Sequence, residues 1–533
     1  MTFRSPFPDV VIPDVSVYEY LFGELSDADA DRTALIESTG GDGLTYRSLT
    51  RRVEAFAGIL ADRGIAVGDV VAILAPNGVA FAVAFHGILR AGATATTLNV
   101  LSTADDIAKQ LTDSRTRLVV TVEALRTKAV DGGQGAGLSP ANVLVIDDCS
   151  PVTDRDPRPA VFDPSSHLAA LPYSSGTTGH PKGVMLTHRN LVANVAQIEQ
   201  FGLRRDDVVA AVLPFSHIYG MSVLLNSALH ARAKLVILAV FDLAGFLGSI
   251  ATHRCTVAFI APPIAVALAK HPMVNDYDLS SLRTVVSGAA PLDEALGRAV
   301  SRRLGCRVVQ GYGMSELSPV SHGVPFDGGL ESRGVEAPLS SCGWTMPNAV
   351  SRIVDQETGA DIKIPRSGLS DPGELLFKGP NVMAGYLCNV SATAETIDAE
   401  GFLHTGDLAR VDAHGCVYIV DRLKELIKYK GYQVPPAELE ATLLTHPDIA
   451  DAAVIGVVEP GTGEEIPKAF VVRRQGTRLT AAQVMDYVAS IVAPYKKVRQ
   501  VEFIAAVPKS AAGKILRREL RQLSSSPERS GGW

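Results

Sequence analysis

Short apolar runs without polar alternation recur from the start of the chain to about residue 320, and segments with helical spacing separate them. One such segment, Thr50–Gly64, carries apolar residues at helical intervals and precedes the run Val70–Leu74. Strands that a sheet buries on both faces have this uninterrupted apolar character. We therefore predict an α/β fold for this part. The further runs predicted as buried strands are Leu118–Val122, Val143–Ile146, Val208–Leu213, Lys234–Leu238 and Thr284–Ser287.

The character of the sequence changes near Glu331, where glycine and proline become frequent and the predicted strands become short. Val350–Val354, Glu374–Lys378 and Val417–Val420 have this form, which predicts a small twisted β unit. A compact α+β segment is predicted from Asp421 onward. The length of 533 residues suits three to four units of about 150 residues each.

Charge and hydropathy exclude several classes of protein. The chain has 50 basic and 57 acidic residues, a net charge of −7, which gives no reason to expect a nucleic acid or an anionic membrane as partner. Mean hydropathy is +0.17, yet no apolar run reaches the roughly 18 residues of a membrane-spanning helix. No signal peptide is expected, because the N-terminus has no apolar core. None of the six cysteines forms a C-x-x-C pair, so we expect reduced thiols and a cytoplasmic location.

The sharpest local motif is the sequence YSSGTTGHPKG at 173–183. Its glycines allow backbone N–H groups to approach an anion, its hydroxyls donate hydrogen bonds, and Lys182 adds a positive charge. These properties suit a polyphosphate, although the spacing is not that of a Walker A motif. A polar surface loop would have a similar composition, so the motif alone leaves both interpretations open.

The order of the residues in this loop resembles the signature of the adenylate-forming superfamily, which includes acyl- and aryl-CoA ligases, firefly luciferase and peptide-synthetase adenylation domains. The resemblance extends over residues 30 to 520 and includes QGYGMSE at 310–316, GEL at 373–375, Tyr386, TGD at 405–407, DRLKELIKYKG at 421–431, PK at 508–509 and GK at 513–514. Within the superfamily, the run 421–431 and LPFSHIY at 213–219 are most similar to 4-coumarate:CoA ligases.

The resemblance implies an α/β N-terminal domain over residues 1–423, with α/β subdomains at about 1–170 and 171–330 and a small β barrel at 331–423. It implies a mobile α+β C-terminal domain over 424–533 that closes over the site. The implied reaction forms acyl-AMP and pyrophosphate from a carboxylate and ATP, and then acyl-CoA and AMP. ATP, Mg²⁺ and coenzyme A are the expected cofactor and co-substrates.

The resemblance also assigns roles to individual residues. Glu316 is the expected Mg²⁺ ligand, Tyr312 the expected adenine-stacking ring and Asp407 the expected ribose acceptor. The full set expected to bind ATP or AMP is Ser174, Ser175, Gly176, Thr177, Thr178, Lys182, Gln310, Gly311, Tyr312, Ser315, Asp407, Arg422 and Lys514.

Lys514 is the expected catalytic lysine, bridging the carboxylate and the α-phosphate. Lys424 is expected at the hinge and His217 at the acyl pocket, where it gates the pocket or orients the carboxylate. Each has an ordinary alternative when considered alone: a surface lysine before Arg517, a lysine in a solvated loop, and a structural histidine.

The acyl pocket expected from the resemblance is apolar, with small residues at its base. Its expected members are Tyr219, Val223, Ser287, Gly288, Ala289, Gly311, Gly313, Met314, Pro319, Lys424 and Lys428. Lys430 and Gly431 are expected to border the coenzyme A channel. Val240 stands where plant ligases often carry a basic residue, so a cation for a coenzyme A phosphate is sought at Arg232 or Lys234.

The preferred interpretation is a carboxylate:CoA ligase for 4-coumarate or a related hydroxycinnamate. A medium- or long-chain fatty acyl-CoA ligase would share the mechanism, since methylene-scale differences are worth only about 1–3 kcal/mol. An acyl-AMP ligase that delivers to an acyl carrier protein is a second alternative. A non-catalytic adenylate-binding protein is disfavoured by the presence of Lys182, Glu316, Asp407 and Lys514 together.

Overall fold

The computed structural model describes residues 2–146, 160–174, 181–330, 334–430, 432–459, 465–510 and 513–525. The strands within these ranges are β1 Phe3–Arg4, β2 Thr33–Glu37, β3 Leu44–Thr45, β4 Val70–Leu74, β5 Thr94–Thr97, β6 Leu118–Thr121, β7 Val143–Val145, β8 Leu168–Ala170, β9 Tyr173–Ser174, β10 Lys182–Thr187, β11 Val208–Ala211, β12 Lys234–Ile237, β13 Val257–Ile260, β14 Thr284–Ser287, β15 Arg307–Gly313, β16 Val320–Gly323, β17 Gly329–Leu330, β18 Val335–Glu336, β19 Trp344–Thr345, β20 Val350–Val354, β21 Gly373–Lys378, β22 Gly385–Tyr386, β23 Leu403–Val411, β24 Val417–Arg422, β25 Ile427–Tyr429, β26 Tyr432–Val434, β27 Ile449–Val458, β28 Glu465–Arg473 and β29 Gln500–Phe503.

The helices flank these strands. The α-helices are α1 Val17–Phe22, α2 Asp27–Ala30, α3 Tyr46–Asp62, α4 Val79–Arg90, α5 Ala104–Asp113, α6 Arg126–Gly135, α7 His188–Glu199, α8 Ser227–His230, α9 Leu243–His253, α10 Pro262–Lys270, α11 Glu294–Leu304, α12 Val390–Thr396, α13 Pro436–Leu444, α14 Ala481–Ile491 and α15 Arg517–Ser525. Residues Tyr219–Asn226 form a π-helix, and short 3₁₀ turns include Ser315–Leu317. In the described part of the chain, no helix is both long and apolar enough to cross a membrane.

Two large sheets form the N-terminal part. A nine-stranded sheet has the order β19-β16-β15-β14-β13-β11-β12-β2-β3, and its six central strands run parallel. An eight-stranded sheet has the order β22-β10-β8-β5-β4-β6-β7, with β9 paired to β10. The central strands β5, β6, β13 and β14 are buried along their whole length, and β4, β11 and β12 at all but their first residue, which explains their largely apolar sequences. The α/β expectation is confirmed.

The two sheets exchange strands across the subdomain division predicted at residue 170. Strands β2 and β3, from the first predicted subdomain, lie at an edge of the nine-stranded sheet. Strands β9 and β10, from the second, belong to the eight-stranded sheet. Each parallel strand needs a crossover connection, so chain order and sheet order need not agree. The domain limits themselves stay a prediction.

The predicted small β unit is built around a five-stranded antiparallel sheet of order β1-β20-β21-β23-β24. The N-terminal strand β1 joins it, with Phe3 opposite Ser351. Its core contains Ile353, Leu375 and Val417. This sheet carries Asp407 on β23 and Arg422 on β24, so it supplies the side chains that complete the site described below.

The C-terminal part has its own apolar core between α13, α14 and the sheet β27-β28-β29. A largely buried arginine, Arg517 on α15, ties this part to the segment after β24. Its guanidinium lies 2.7 Å from the Glu440 carboxylate and 3.3 Å from that of Glu425. Burial raises the pKa of Glu440 to about 7, against the lowering effect of Arg517.

Helix α10 is where the C-terminal part contacts the nine-stranded sheet region. At its last residue, the Lys270 ammonium donates to the carbonyl of Leu444, 2.9 Å away, at the end of α13. At its other end, a Cβ added to Gly513 would lie 3.1 Å from Ala261 and 3.5 Å from Pro263. Gly513 has φ +80° and close neighbours, so this turn favours glycine. These two contacts bring Lys514 to the N-terminal part.

We predict that Arg517→Met destabilises the C-terminal part by about 3 kcal/mol, because it leaves Glu440 and Glu425 largely buried without their partner. Arg521→Met is the matched control on the same helix, where the side chain is exposed. Hydrogen exchange of the amides in 436–520 measures the difference. Equal protection in both variants would contradict the prediction.

Candidate active site

The candidate site lies at the carboxyl end of β15, where parallel strands of α/β sheets commonly bind ligands. Strand β15 ends at Tyr312 and Gly313, and the 3₁₀ turn Ser315–Leu317 follows at once. A Cβ on Gly313 would lie 2.0 Å from the Pro319 carbonyl oxygen, so a side chain does not fit there. The absence of a side chain lets the chain fold back tightly and brings Glu316 to the site.

A buried carboxylate joins two sheets at this point. The Tyr312 hydroxyl donates to Asp407 Oδ2 over 2.5 Å, and Arg422 Nε lies 3.5 Å from Asp407 Oδ1. Burial, together with the charge of Asp407, raises the pKa of Tyr312 well above its usual value, so the phenol stays a donor. Burial also raises the pKa of Asp407, although Arg422 and the Tyr312 hydrogen bond oppose this. The three expected nucleotide-binding residues are therefore in mutual contact.

A second cluster contains the expected metal ligand. Tyr386 donates from its hydroxyl to Glu316 Oε1 over 2.9 Å, and its ring lies 4.7 Å from the Lys182 ammonium. Strand pairing produces this arrangement, because Val184 on β10 lies opposite Tyr386 on β22. Glu316 is 5 % exposed, and carboxylates this buried are rare unless they have a partner.

The strands β9 and β10 bring the two ends of the signature loop together, with Ser174 opposite Lys182. The Ser174 hydroxyl is buried and has no hydrogen-bond partner among the described residues. A buried hydroxyl without a partner costs free energy unless a ligand supplies one. The expected phosphate-binding residues Ser175, Gly176, Thr177 and Thr178 lie outside the described residues.

The donor set around Glu316 fits Mg²⁺ held partly by a substrate. Among the described residues, no group of three or more His, Cys, Asp and Glu side chains could hold a metal ion. Mg²⁺ bound through one carboxylate, substrate phosphates and water needs no such cage. The cluster of Glu316, Lys182 and Ser174 offers the carboxylate and two phosphate-binding groups.

Lys514 enters the site from the C-terminal part. Its backbone is fixed by a turn in which Ser510 N–H donates to the Lys514 carbonyl over 2.8 Å. Burial lowers the pKa of Lys514 to about 8, and the charge of Arg422 adds to the effect, whereas Glu425 and Asp407 oppose it. The ammonium is therefore electrostatically coupled to the nucleotide-binding residues, as the expected catalytic role requires.

His217 lies on a loop that side chains of the eight-stranded region hold. Asn77 accepts from Phe215 N–H over 2.7 Å and donates to the Leu213 carbonyl over 2.9 Å. The ring Nδ1 accepts from Tyr219 N–H over 3.3 Å, which leaves the proton on Nε2. Desolvation lowers the pKa of His217 to about 4, and Lys514 adds to the shift, so the imidazole is neutral at pH 7.

An apolar cavity adjoins His217 and Tyr312 and encloses about 700 Å³, solvent at its mouth included. Eight residues of the expected acyl pocket line it, namely Tyr219, Val223, Gly288, Ala289, Gly311, Gly313, Met314 and Pro319. Gly288 is required beside Tyr219, because an added Cβ would lie 2.7 Å from the ring. Ala289 has φ +71°, a strained conformation of the kind that clusters at functional sites.

Several expected residues lie elsewhere. Ser287 is fully buried and does not line the cavity, because side chains alternate along β14 and Val286 lines it instead. Lys424 and Lys428 are exposed and also absent from its wall; Lys428 N–H donates to Glu465. In this domain arrangement both lysines lie outside the cavity wall, and their expected place in the acyl pocket stays a prediction.

Further expectations concern five other residues. The Gln310 amide is fully used by the backbone, since it donates to the Leu292 and Leu339 carbonyls and accepts from Leu292 N–H, which favours a structural role. Arg232 donates to the carbonyls of Leu21, Leu229 and Glu24, so it is not a free cation for coenzyme A. Ser315 opens the 3₁₀ turn before Glu316, and Lys430 is exposed at the end of β25. Gly431 lies outside the described residues.

Much of the cavity wall was not predicted from sequence. The missed lining residues are Ile198, Phe201, Ile218, Phe259, Val286, Val320, Gly323, Val324 and Phe326. Val320, Gly323, Val324 and Phe326 all lie within ten residues of the QGYGMSE motif, and this nearness was a usable signal. No local pattern connects α7 with this run, which lies more than 100 residues later in the chain.

Comparison with known proteins identifies the class. Residues 24–387 match the family model "AMP-binding enzyme", and residues 438–514 match "AMP-binding enzyme C-terminal domain". The chain belongs to this family of AMP-binding enzymes, and the superfamily resemblance inferred from the motifs is confirmed.

Among curated relatives, "4-coumarate--CoA ligase 5" of Oryza sativa subsp. japonica is 42 % identical over 97 % of this chain and 96 % of its own length. "4-coumarate--CoA ligase 3" of Arabidopsis thaliana is 40 % identical over 97 % and 93 %.

Solved structures share the fold over nearly the whole chain. ATP-bound MatB from Rhodopseudomonas palustris has a TM-score of 0.86 at 29 % identity and covers 97 % of this chain and 100 % of its own. The anthranilate CoA ligase AuaEII in complex with anthranoyl-AMP has a TM-score of 0.85 at 25 % identity and covers 96 % and 97 %. The α/β fold class with a separate C-terminal domain is thereby confirmed.

We predict that kcat/KM for ATP falls as pH rises through about 8, because this parameter reports the free enzyme and Lys514 loses its proton there. The folded-state pKa is lowered, so the charged form is present below pH 8 and lost above it. Lys514→Arg keeps its charge and should remove this alkaline decline at a lower absolute rate. Acid-dependent ATP–pyrophosphate exchange measures both.

Lys509→Arg is the control, since Lys509 is paired with Asp451 at 2.6 Å and lies away from the cavity wall. It should retain the wild-type pH profile. A decline near pH 8 that persists in Lys514→Arg would assign the titration to another group.

Proposed function

We propose that the protein is an ATP- and Mg²⁺-dependent carboxylate:CoA ligase whose substrate is 4-coumarate or a related hydroxycinnamate. One observation carries the proposal. Lys514 follows Gly513, where an added Cβ would lie 3.1 Å from Ala261 of the N-terminal part. Its charge lowers the pKa of both Asp407, in the nucleotide cluster, and His217, in the wall of the apolar cavity. A nucleotide site and an acyl site thus meet at one mobile cation, as acyl-adenylate formation requires.

The two polar clusters bind different parts of the nucleotide. Ser174, Lys182 and the loop between them bind the β- and γ-phosphates, and Glu316 holds Mg²⁺, which neutralises phosphate charge when bound. Asp407 accepts from the ribose hydroxyls, Arg422 contacts ribose or phosphate, and the Tyr312 ring packs on adenine. The Tyr312 hydroxyl holds Asp407 in place, and that contact leaves the face of the ring available.

In the first step a carboxylate oxygen of the acid attacks the α-phosphorus and the bond to pyrophosphate breaks. Lys514 stabilises the negative charge that passes from the carboxylate to the phosphate. His217 is neutral and carries its proton on Nε2, so it donates a hydrogen bond to the acid without adding charge. No protein nucleophile is required.

In the second step the sulfur of coenzyme A attacks the acyl carbon and the bond to AMP breaks. Lys424, Lys428 and Lys430 follow β24 and are exposed, which suits a role after the C-terminal domain has rotated about this segment. In that orientation we place Lys430 and Gly431 beside coenzyme A. Val240 is 77 % exposed at the position where plant ligases often carry a basic residue, so a cation for the coenzyme A phosphate comes from another position or is absent.

The cavity and the relatives together favour an aryl acid. Its wall is almost entirely apolar, and aromatic rings form part of it. The curated relatives named above are 4-coumarate:CoA ligases, and AuaEII is named for anthranilate. We place the protein in the cytoplasm, in agreement with the free thiols of the five cysteines that the structure describes.

A competition assay tests the function and its substrate class. With ATP, Mg²⁺, coenzyme A and equimolar 4-coumarate, benzoate, octanoate and palmitate, we expect coumaroyl-CoA as the dominant product by mass spectrometry. Lys514→Ala is the control and should abolish thioester formation while nucleotide binding persists. Dominant octanoyl-CoA or palmitoyl-CoA would refute the substrate class. Accumulation of acyl-AMP without any thioester would favour delivery to an acyl carrier protein.

A further inference from the structure

The residue pairs between β15 and β16 show how far the acyl cavity extends along the sheet. Gly313 lies opposite Val320 at the nucleotide end of the pair, and Gly311 lies opposite Gly323. Strands rise about 3.3 Å per residue, so the second pair lies roughly 7 Å deeper along the sheet. All four of these residues line the cavity, which therefore extends at least to Gly323.

The ring of Phe201 covers this deep position. A Cβ added to Gly323 would lie 3.2 Å from two atoms of the Phe201 ring, so the ring packs directly on the glycine. Phe201 follows α7, lines the cavity and is only 5 % exposed. The backbone of Phe201 is held by a hydrogen bond, since Phe326 N–H donates to the Phe201 carbonyl over 2.8 Å.

The Phe201 ring has little room to move away from the cavity. Phe7, from the N-terminal segment, packs edge-to-face on it with ring centroids 5.4 Å apart. Phe7 in turn packs on the fully buried Trp344 at 6.3 Å. An aromatic ring backed by a second ring and a buried indole forms a rigid wall, because tightly packed side chains do not yield without strain.

We infer that Phe201 is a specificity-determining residue that closes the deep end of the acyl cavity and limits the length of the acid. This inference rests on the proposed function and narrows its substrate class. Arylpropenoates and short alkyl acids fit in front of the ring. Acids that extend past Gly323 meet the Phe201 ring and the Phe7 ring behind it, so long-chain fatty acids are excluded.

Truncation of the ring tests the inference. In Phe201→Ala we expect the ratio of kcat/KM for dodecanoate to that for 4-coumarate to rise at least 10-fold, because the cavity lengthens toward Phe7. Phe402→Ala is the matched control: Phe402 is equally buried, at 6 % exposure, but lies outside the cavity wall. It should leave the ratio at the wild-type value.

Phe201→Leu serves if the alanine variant does not fold, since leucine retains apolar packing and should move the ratio in the same direction by a smaller factor. Calorimetric titration of the two acids, without ATP, measures the same preference independently of turnover. An unchanged ratio in a folded Phe201 variant, by kinetics and by binding, overturns the inference. Wild-type protein that binds 4-coumarate but forms no product would refute the proposed function and leave the inference intact.

Discussion

The site depends on one buried carboxylate. Asp407 is 5 % exposed, and its desolvation would be costly without partners. Tyr312 comes from the nine-stranded sheet, whereas Asp407 and Arg422 come from adjacent strands of the five-stranded sheet. Satisfying this carboxylate therefore fixes the relative position of two sheets that share no strand. The cluster also lies directly before the segment that leads into the C-terminal part.

Three glycines lie where a backbone segment or an aromatic ring packs closely against their Cα atoms. Gly313 allows β15 and the segment after Pro319 to pack within a distance that excludes any side chain. Gly288 leaves room for the Tyr219 ring, and Gly323 leaves room for Phe201. At Gly288 and Gly323 the space left by the missing side chain is filled by a ring from a distant part of the sequence. The shape of the apolar cavity therefore depends on the groups that pack against these three glycines.

Sequence patterns predicted the elements better than their arrangement. Runs such as Val70–Leu74 and Thr284–Ser287 became strands at those limits, because burial on both faces leaves a local signature. Ser287 was predicted in the acyl pocket, but adjacent side chains of a strand point to opposite faces, and on β14 it is Val286 that faces the cavity. The exchange of β2 and β10 between the sheets has no local signature, since it depends on which edges are free after the parallel strands have paired.

For the site, too, local sequence motifs predicted some residues, whereas residues brought together only by the fold were missed. Motif residues such as Asp407, Glu316 and Lys514 were predicted because each belongs to a short sequence motif with a fixed order of residues. Phe201 and Phe7 were not predicted, because the sequence does not distinguish an aromatic ring that lines a cavity from one that packs in the hydrophobic core. The contact between Phe7 and Phe201 spans most of the N-terminal half of the chain, and only the folded structure brings them together.

The electrostatics of the site connect nucleotide binding with the state of Lys514. Without a nucleotide, Arg422 and burial both oppose the charge on Lys514, which lowers its pKa. Polyphosphate is an anion, so its arrival beside Lys182, Arg422 and Lys514 favours the protonated lysine. By linkage, the protonated enzyme binds ATP more tightly than the deprotonated one.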